Sequence, residues 1–131
     1  MIIKVACAVI VNNNKILAAK RSEIMPHAGF WEFPGGKIEE GENAEDCLCR
    51  EIAEELHCQV NVVEMLPSFQ HEYSCKKIEL IPFLCELNNG IPNPAEHEEL
   101  CWLSKTELLS IKWLPADIPI AQYIVDRNLV G

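Results

Sequence analysis

Residues 36–58 read GKIEEGENAEDCLCREIAEELHC, and the fold turns on how they are read. No Gly or Pro interrupts residues 43–57, Asn43 stands where an N-cap belongs, and Asp46 follows three residues on, so the spacing predicts a helix over 43–57. At about 100° per residue, Cys49, Ile52, Ala53 and Leu56 share one sector, the expected buried stripe. Glu51, Glu54 and Glu55 stand at i, i+3 and i+4 and converge on another edge, where they present hard oxygen ligands of the kind Mg²⁺ or Mn²⁺ takes. Carboxylates that close repel one another, and a divalent cation relieves the repulsion. Gly36 leaves its carbonyl free to approach such an ion. Arg50, four residues before Glu54, is placed to orient carboxylates, and Glu42 to brace the loop before the helix. The plainer alternative for the acids is a solvated helix face.

On either side of this helix the pattern is extended. Residues 2–11 and 15–20 are aliphatic and β-branched and flank a three-Asn turn, which predicts a hairpin. Further strands are expected at 31–33, 60–63, 69–73, 77–87 and 99–103. Ser104-x-x-Glu107 reads as a capping box opening a short helix, and a last helix is expected over 119–127.

Composition bounds the function. The chain has 131 residues, 49% of them hydrophobic, enough for one core and too few for a second, so a single domain over 1–131 is expected. Eleven Lys and Arg against 20 Asp and Glu give a net charge of −9, the wrong sign for a face that neutralises nucleic-acid phosphates. No nucleic-acid polymer is expected as partner, although an acidic protein can still bind a small polyphosphate if carboxylates hold divalent cations that reverse the local sign. The apolar run over 5–11 is far shorter than the roughly 18 residues of a membrane span, which predicts no membrane partner and a soluble, cytoplasmic chain. Seven cysteines, an odd number without C-x-x-C or zinc-finger spacing, read as reduced structural thiols.

Stripped to its fixed positions, the opening stretch is Gly36, five residues, Glu42, seven residues, Arg50-Glu51-Ile52-x-Glu54-Glu55, then His57-Cys58. It resembles the box of the Nudix hydrolases, G-x5-E-x7-R-E-U-x-E-E-x-G-U with U aliphatic. Six of its seven specified residues match, a coincidence on the order of 10⁻⁵ for this composition. His57 replaces the family's Gly, a left-handed helix end where His is among the less costly substitutes, and Cys58 replaces an aliphatic. Residues 31–37 read WEFPGGK and 114–119 read LPADIP, both similar to segments of the MutT-like branch, so the resemblance runs along nearly the whole chain.

That resemblance implies an α/β fold, the Nudix α/β/α sandwich with a mixed β-sheet. It implies a metal held by the Gly36 carbonyl, Glu51, Glu54, Glu55 and Glu96, and catalytic roles for Glu51, Glu54 and Glu96, with either Glu51 or Glu96 taking the proton of the attacking water. Arg21 matches a triphosphate contact and Asp117 a residue facing the base. Each has a plainer reading: a solvated loop acid for Glu96, a strand-end charge for Arg21, an N-cap of the last helix for Asp117. Phe33 and Phe69 either wall the base pocket or fill the core, while His27, His71 and His97 read as exposed or capping. The implied reaction is Mg²⁺-dependent hydrolysis of a nucleoside triphosphate to the monophosphate and pyrophosphate, with Mn²⁺ as a substitute, by a monomer or homodimer. The substrate is 8-oxo-dGTP, as in nucleotide-pool sanitation, or alternatively CTP or 5-methyl-dCTP. Intact Glu51, Glu54 and Glu55 argue against a non-catalytic nucleotide-binding module.

Overall fold

Two asparagines close the first hairpin. Asn13 and Asn14 take φ of 50° and 61°, the left-handed pair a two-residue hairpin turn needs, and fold β1 (Ile2–Asn12) antiparallel onto β2 (Lys15–Lys20). The computed structural model describes residues 2–131. β1 forms the middle of the sheet. It runs parallel to β7 (Lys76–Asn89), from Ile2 opposite Lys77 to Val11 opposite Glu86, and takes β4 (Gly35–Lys37) antiparallel against residues 5–7. β3 (Trp31–Glu32) and β8 (Glu99–Leu103) pair with β2, whereas β5 (Gln59–Met65) and β6 (Phe69–Tyr73) pair with β7, giving one mixed sheet.

Alternation along β1 sorts the core into two layers. Ala6, Ala8 and Ile10 pack with Cys47, Leu48, Ile52 and Leu56 of α1 (Ala44–Leu56), while Cys7 and Val9 share the opposite layer with Ile120, Ala121 and Ile124 of α2 (Ile118–Asp126). This is the expected α/β/α sandwich. Each fully buried Leu or Ile contributes roughly 1.5–3 kcal/mol of gross transfer free energy, so Leu48, Ile52 and Leu56 hold an otherwise acidic helix to the sheet. Asn43 caps α1 as expected, its Oδ1 accepting the Asp46 N–H at 2.8 Å, and His57 ends the helix at φ 53°, ψ 39°, in the left-handed region.

Three expectations are corrected. The buried face of α1 is Cys47, Leu48, Ile52 and Leu56, while Cys49 and Ala53 are exposed. Helix α1 is rotated so that Cys47 Sγ rests on the Gly36 and Lys37 carbonyls, and this turns Glu55 inward with the apolar residues. No helix follows Ser104: its N–H and hydroxyl both donate to Glu107 Oε1, at 2.9 and 2.8 Å, and the N–H groups of Glu107 and Leu108 return to the one Ser104 carbonyl. The last helix starts one residue early, behind a 3₁₀ turn over Pro115–Asp117.

The seven cysteines are free thiols, with Cys7, Cys47, Cys58 and Cys85 buried. Among the described residues no helix is long and apolar enough to cross a membrane.

His57→Gly removes the steric cost of a left-handed Cβ and should raise stability by about 0.5–1 kcal/mol, read as a higher urea midpoint. A lower midpoint would mean that the imidazole makes a contact worth more than the strain.

Candidate active site

The acidic edge of α1 is organised by one guanidinium. Arg50 grips Glu42 with two donors, Nε to Oε2 at 2.8 Å and Nη2 to Oε1 at 3.0 Å, and its Nη1 donates to Glu51 Oε1 at 2.8 Å and reaches Glu54 at 3.4 Å. Such a fork suits paired carboxylates in a way that Lys cannot match. Glu42 also accepts the Glu39 N–H, at 3.1 Å, so it braces the loop before the helix. Its carboxyl is pulled down to about 2, chiefly by the hydrogen bonds from Arg50 and then by that of Glu39.

Glu51 lies directly against β4. A Cβ at residue 36 would stand 2.3 Å from Glu51 Cδ, which explains the glycine by close approach. The Gly36 carbonyl accepts the Cys47 thiol at 3.7 Å. Glu54 is exposed, but Glu55 is buried at 8% exposure. Burial first, then a hydrogen bond and the charge of Glu51, then the charges of Glu32 and Glu96, push the Glu55 carboxyl up to about 9. Glu96 lies exposed on the loop between β7 and β8.

Among the described residues no three His, Cys, Asp or Glu side chains stand together as a ready cation site, and Arg50 is the cation that Glu51 and Glu54 now face. The donors nonetheless fit a hard divalent ion. They are all oxygens, on one helix edge and an adjoining glycine where a Cβ would fill the space against Glu51.

On the α2 side of the sheet a cavity of about 460 Å³ opens between Cys7, Arg21, Glu32, Phe33, Tyr73 and Asp117. Arg21 is held at its wall by Glu32 Oε1, at 2.6 Å from Nη1, and by the Pro26 carbonyl, at 2.6 Å from Nε. Asp117 does not cap α2. Its Oδ2 accepts the Phe33 N–H at 2.8 Å, across 84 residues of chain, and the side chain is 5% exposed. Burial pushes its carboxyl up to about 8, against the Phe33 hydrogen bond that favours the ionised form, with the Glu32 charge adding to the rise and Arg21 opposing it.

Phe33 is both wall and core: it lines the cavity and stacks on Trp113 at 4.3 Å. Phe69 is not among the cavity's lining residues and packs edge-on against Tyr123. His27 is exposed, and His71 is half-buried against Tyr73. His97, expected to be exposed or capping, is instead buried and bonded to Glu32 Oε2 at 2.8 Å, because its loop turns that one side chain inward.

Sequence reasoning did not single out Glu32, Cys7 or Tyr73. Period-two alternation carried a signal for Cys7, since odd positions of β1 face the α2 layer, but nothing local marked Glu32 as a hub.

The family model described as NUDIX domain matches residues 2–124. The chain is 38% identical over 120 residues to the CTP pyrophosphohydrolase of Escherichia coli K12, covering 92% of this chain and 89% of that protein. It is 32% identical over 128 residues to the 8-oxo-dGTP diphosphatase of Haemophilus influenzae, covering 97% and 94%. The solution structure of the E. coli ORF135 protein aligns with a TM-score of 0.84 at 36% identity, over 98% of this chain and 92% of that one.

The raised Asp117 carboxyl has a thermodynamic consequence. Between about pH 4 and about pH 8 the folded chain keeps a proton there that the unfolded chain has released, so this group lowers stability as pH rises through that window. Asp117→Asn keeps an oxygen for the Phe33 N–H and cannot ionise. Urea unfolding at about pH 5 and about pH 8 should show the variant gaining on the wild type at the higher pH. An equal difference at both would place the carboxyl at its ordinary value.

Proposed function

The chain belongs to the NUDIX domain family and is a Nudix pyrophosphohydrolase; on that premise we propose that it hydrolyses 8-oxo-dGTP to the monophosphate and pyrophosphate with Mg²⁺. The observation that carries this reading is the buried Asp117 carboxyl at a cavity of about 460 Å³, the size of an ordinary small-molecule site. A carboxyl held at about 8 is protonated at neutral pH, so it offers one donor and one acceptor side by side. An oxidised guanine presents an N7–H beside its O6, the complementary pair. Arg21 at the same wall is assigned to the triphosphate, and Phe33 to the base. Phe69 is assigned to the core that backs this wall.

Mg²⁺, with Mn²⁺ as substitute, would be held by Glu51, Glu54, Glu55 and the Gly36 carbonyl, with Glu96 from its loop. Bound there, the ion supplies neutralisation of phosphate charge and a more acidic water. The chain's own part is positioning and proton transfer. Arg50 holds Glu51 in place, Glu54 is the exposed acid of the helix edge, and either Glu51 or Glu96 takes the water's proton. In this reading one domain over 1–131 acts in the cytoplasm on a free nucleotide, as a monomer or homodimer.

CTP or 5-methyl-dCTP is the second reading, favoured by the 38% identity to a protein named CTP pyrophosphohydrolase. Cytosine N3 and its amine also match a protonated carboxyl.

The test is kcat/KM for 8-oxo-dGTP, dGTP, CTP and 5-methyl-dCTP with Mg²⁺ and with a chelator, products identified, on wild type and Asp117→Ala. The expected result is metal-dependent turnover led by 8-oxo-dGTP, with its KM raised roughly 10-fold or more in Asp117→Ala. Preference for the cytosine nucleotides would establish the second reading, and an equal fall or no fall across all four would remove Asp117 from base recognition.

Gly36→Ala probes the other half of the site. Its methyl group meets a side chain that can swing aside, so the variant should fold while Glu51 is displaced and kcat falls by about 10²-fold. Full activity in the folded variant would mean that Glu51 tolerates the shift.

A further inference from the structure

We propose that His97 is a positioning residue for hydrolysis: it ties the loop that carries Glu96 to Glu32, the same carboxyl that holds Arg21 at the cavity wall. The inference rests on the reading of Glu96 as a reacting carboxylate. Its own basis is a chain of short bonds. His97 Nε2–H donates to Glu32 Oε2 at 2.8 Å, Arg21 Nη1 donates to Glu32 Oε1 at 2.6 Å, and Arg21 Nε donates to the Pro26 carbonyl at 2.6 Å. One carboxyl thus joins the loop, the end of β2 and the cavity.

The loop itself shows why this bond matters. Its backbone is fixed at Asn93, whose N–H reaches the Leu56 carbonyl at the end of α1, and at Glu98, whose N–H reaches the Lys20 carbonyl. Glu96 lies between these points with Ala95, Glu96 and Glu98 all exposed, and His97 is the neighbour whose side chain turns inward, at 2% exposure. A displaced imidazole would free the residue next to it.

The imidazole is also a poor choice for filling space alone. With Nε2 donating to Glu32, the other ring nitrogen, Nδ1, is buried without a hydrogen-bond partner among the described residues. An apolar side chain of similar size would not carry that unmet group, so packing favours Leu where the Glu32 bond requires His. Stability and positioning therefore predict opposite effects of one substitution.

The experiment is steady-state kinetics with the nucleotide that the wild type turns over best, on His97→Leu, His97→Gln, Glu96→Gln and the Glu96→Gln/His97→Leu double variant, with urea unfolding of each. A glutamine places its amide nitrogen near the position of Nε2 and can donate to Glu32. His97→Leu should unfold at a urea midpoint no lower than the wild type yet lose roughly 10-fold or more in kcat with little change in KM. His97→Gln should recover most of that loss, and the double variant should be no slower than Glu96→Gln alone. If Glu96→Gln leaves kcat unchanged, the reading of Glu96 fails and the inference with it. If Glu96→Gln is slow but His97→Leu turns over normally, or the losses multiply, or His97→Gln is as slow as His97→Leu, Glu96 keeps its role and the positioning role of His97 is overturned. Should His97→Leu not fold, His97→Asn, too short to reach Glu32, takes its place in the same comparisons.

Discussion

Gly35 and Gly36, between β3 and α1, leave no room for a Cβ, and both the cavity and the acidic edge of α1 depend on that. A Cβ at Gly35 would stand 2.0 Å from the Ala6 carbonyl oxygen, and one at Gly36 would stand 2.3 Å from Glu51 Cδ. The strand is therefore pressed onto β1 on one side and against the acidic edge of α1 on the other. Phe33 and Pro34, just before it, are buried, and their backbone bonds reach Asp117 through the Phe33 N–H and Ala8 through the Pro34 carbonyl. Gly35 lines the cavity and Gly36 faces the carboxylates. A single extended segment thus sets the distance between the cavity and the acidic edge of α1.

The charges around this segment are balanced by two different means. At the exposed end Arg50 neutralises by ion pairing, and Glu42 answers with a carboxyl held at about 2. At the buried end no cation among the described residues pairs with Glu55, which answers by keeping its proton, with its carboxyl at about 9. The first follows from the guanidinium that grips Glu42 on the loop before α1, and the second from the burial of Glu55, with the neighbouring acids adding to it. Asp117 repeats the second solution in the α2 layer, where burial outweighs both the Phe33 hydrogen bond and the nearby Arg21. A protein of net charge −9 can in this way bury acid groups in both layers, Asp117 at the cavity and Glu55 on the inner side of α1, without adding to its negative charge.

Much of this was legible in the sequence wherever the cause is local. The Asn turn, the Asn43 cap, the left-handed His57 and the strand at Phe69–Tyr73 depend on residues within a few positions of one another. What was not legible depends on contacts across the chain. The period of α1 gave a stripe, but its rotation toward Cys47, Leu48 and Glu55 is set by β4 beneath it. Asp117 has the sequence context of an N-cap, yet its carboxylate oxygen goes to a backbone N–H 84 residues away, because burying that N–H unpaired would cost more than an uncapped helix whose second residue is already a proline. His97 sits in a run of acids that reads as solvated, and only the position of Glu32 on β3 gives it an inward partner.

This division between local and distant causes also separates the functions of the parts. The carboxylates of α1, with Arg50 and Glu42, come from one short stretch of chain, so their mutual geometry survives as long as that helix and its loop fold. The cavity is different: Cys7 comes from β1, Arg21 from the end of β2, Tyr73 from the end of β6 and Asp117 from the turn before α2. Each can change without touching the helix. A change at any of them alters the size of the cavity or the donors and acceptors that line it, while the carboxylates of α1 keep their arrangement. The shape and polarity of the cavity can therefore be altered one residue at a time, whereas the carboxylate edge of α1 changes only with its own helix and loop.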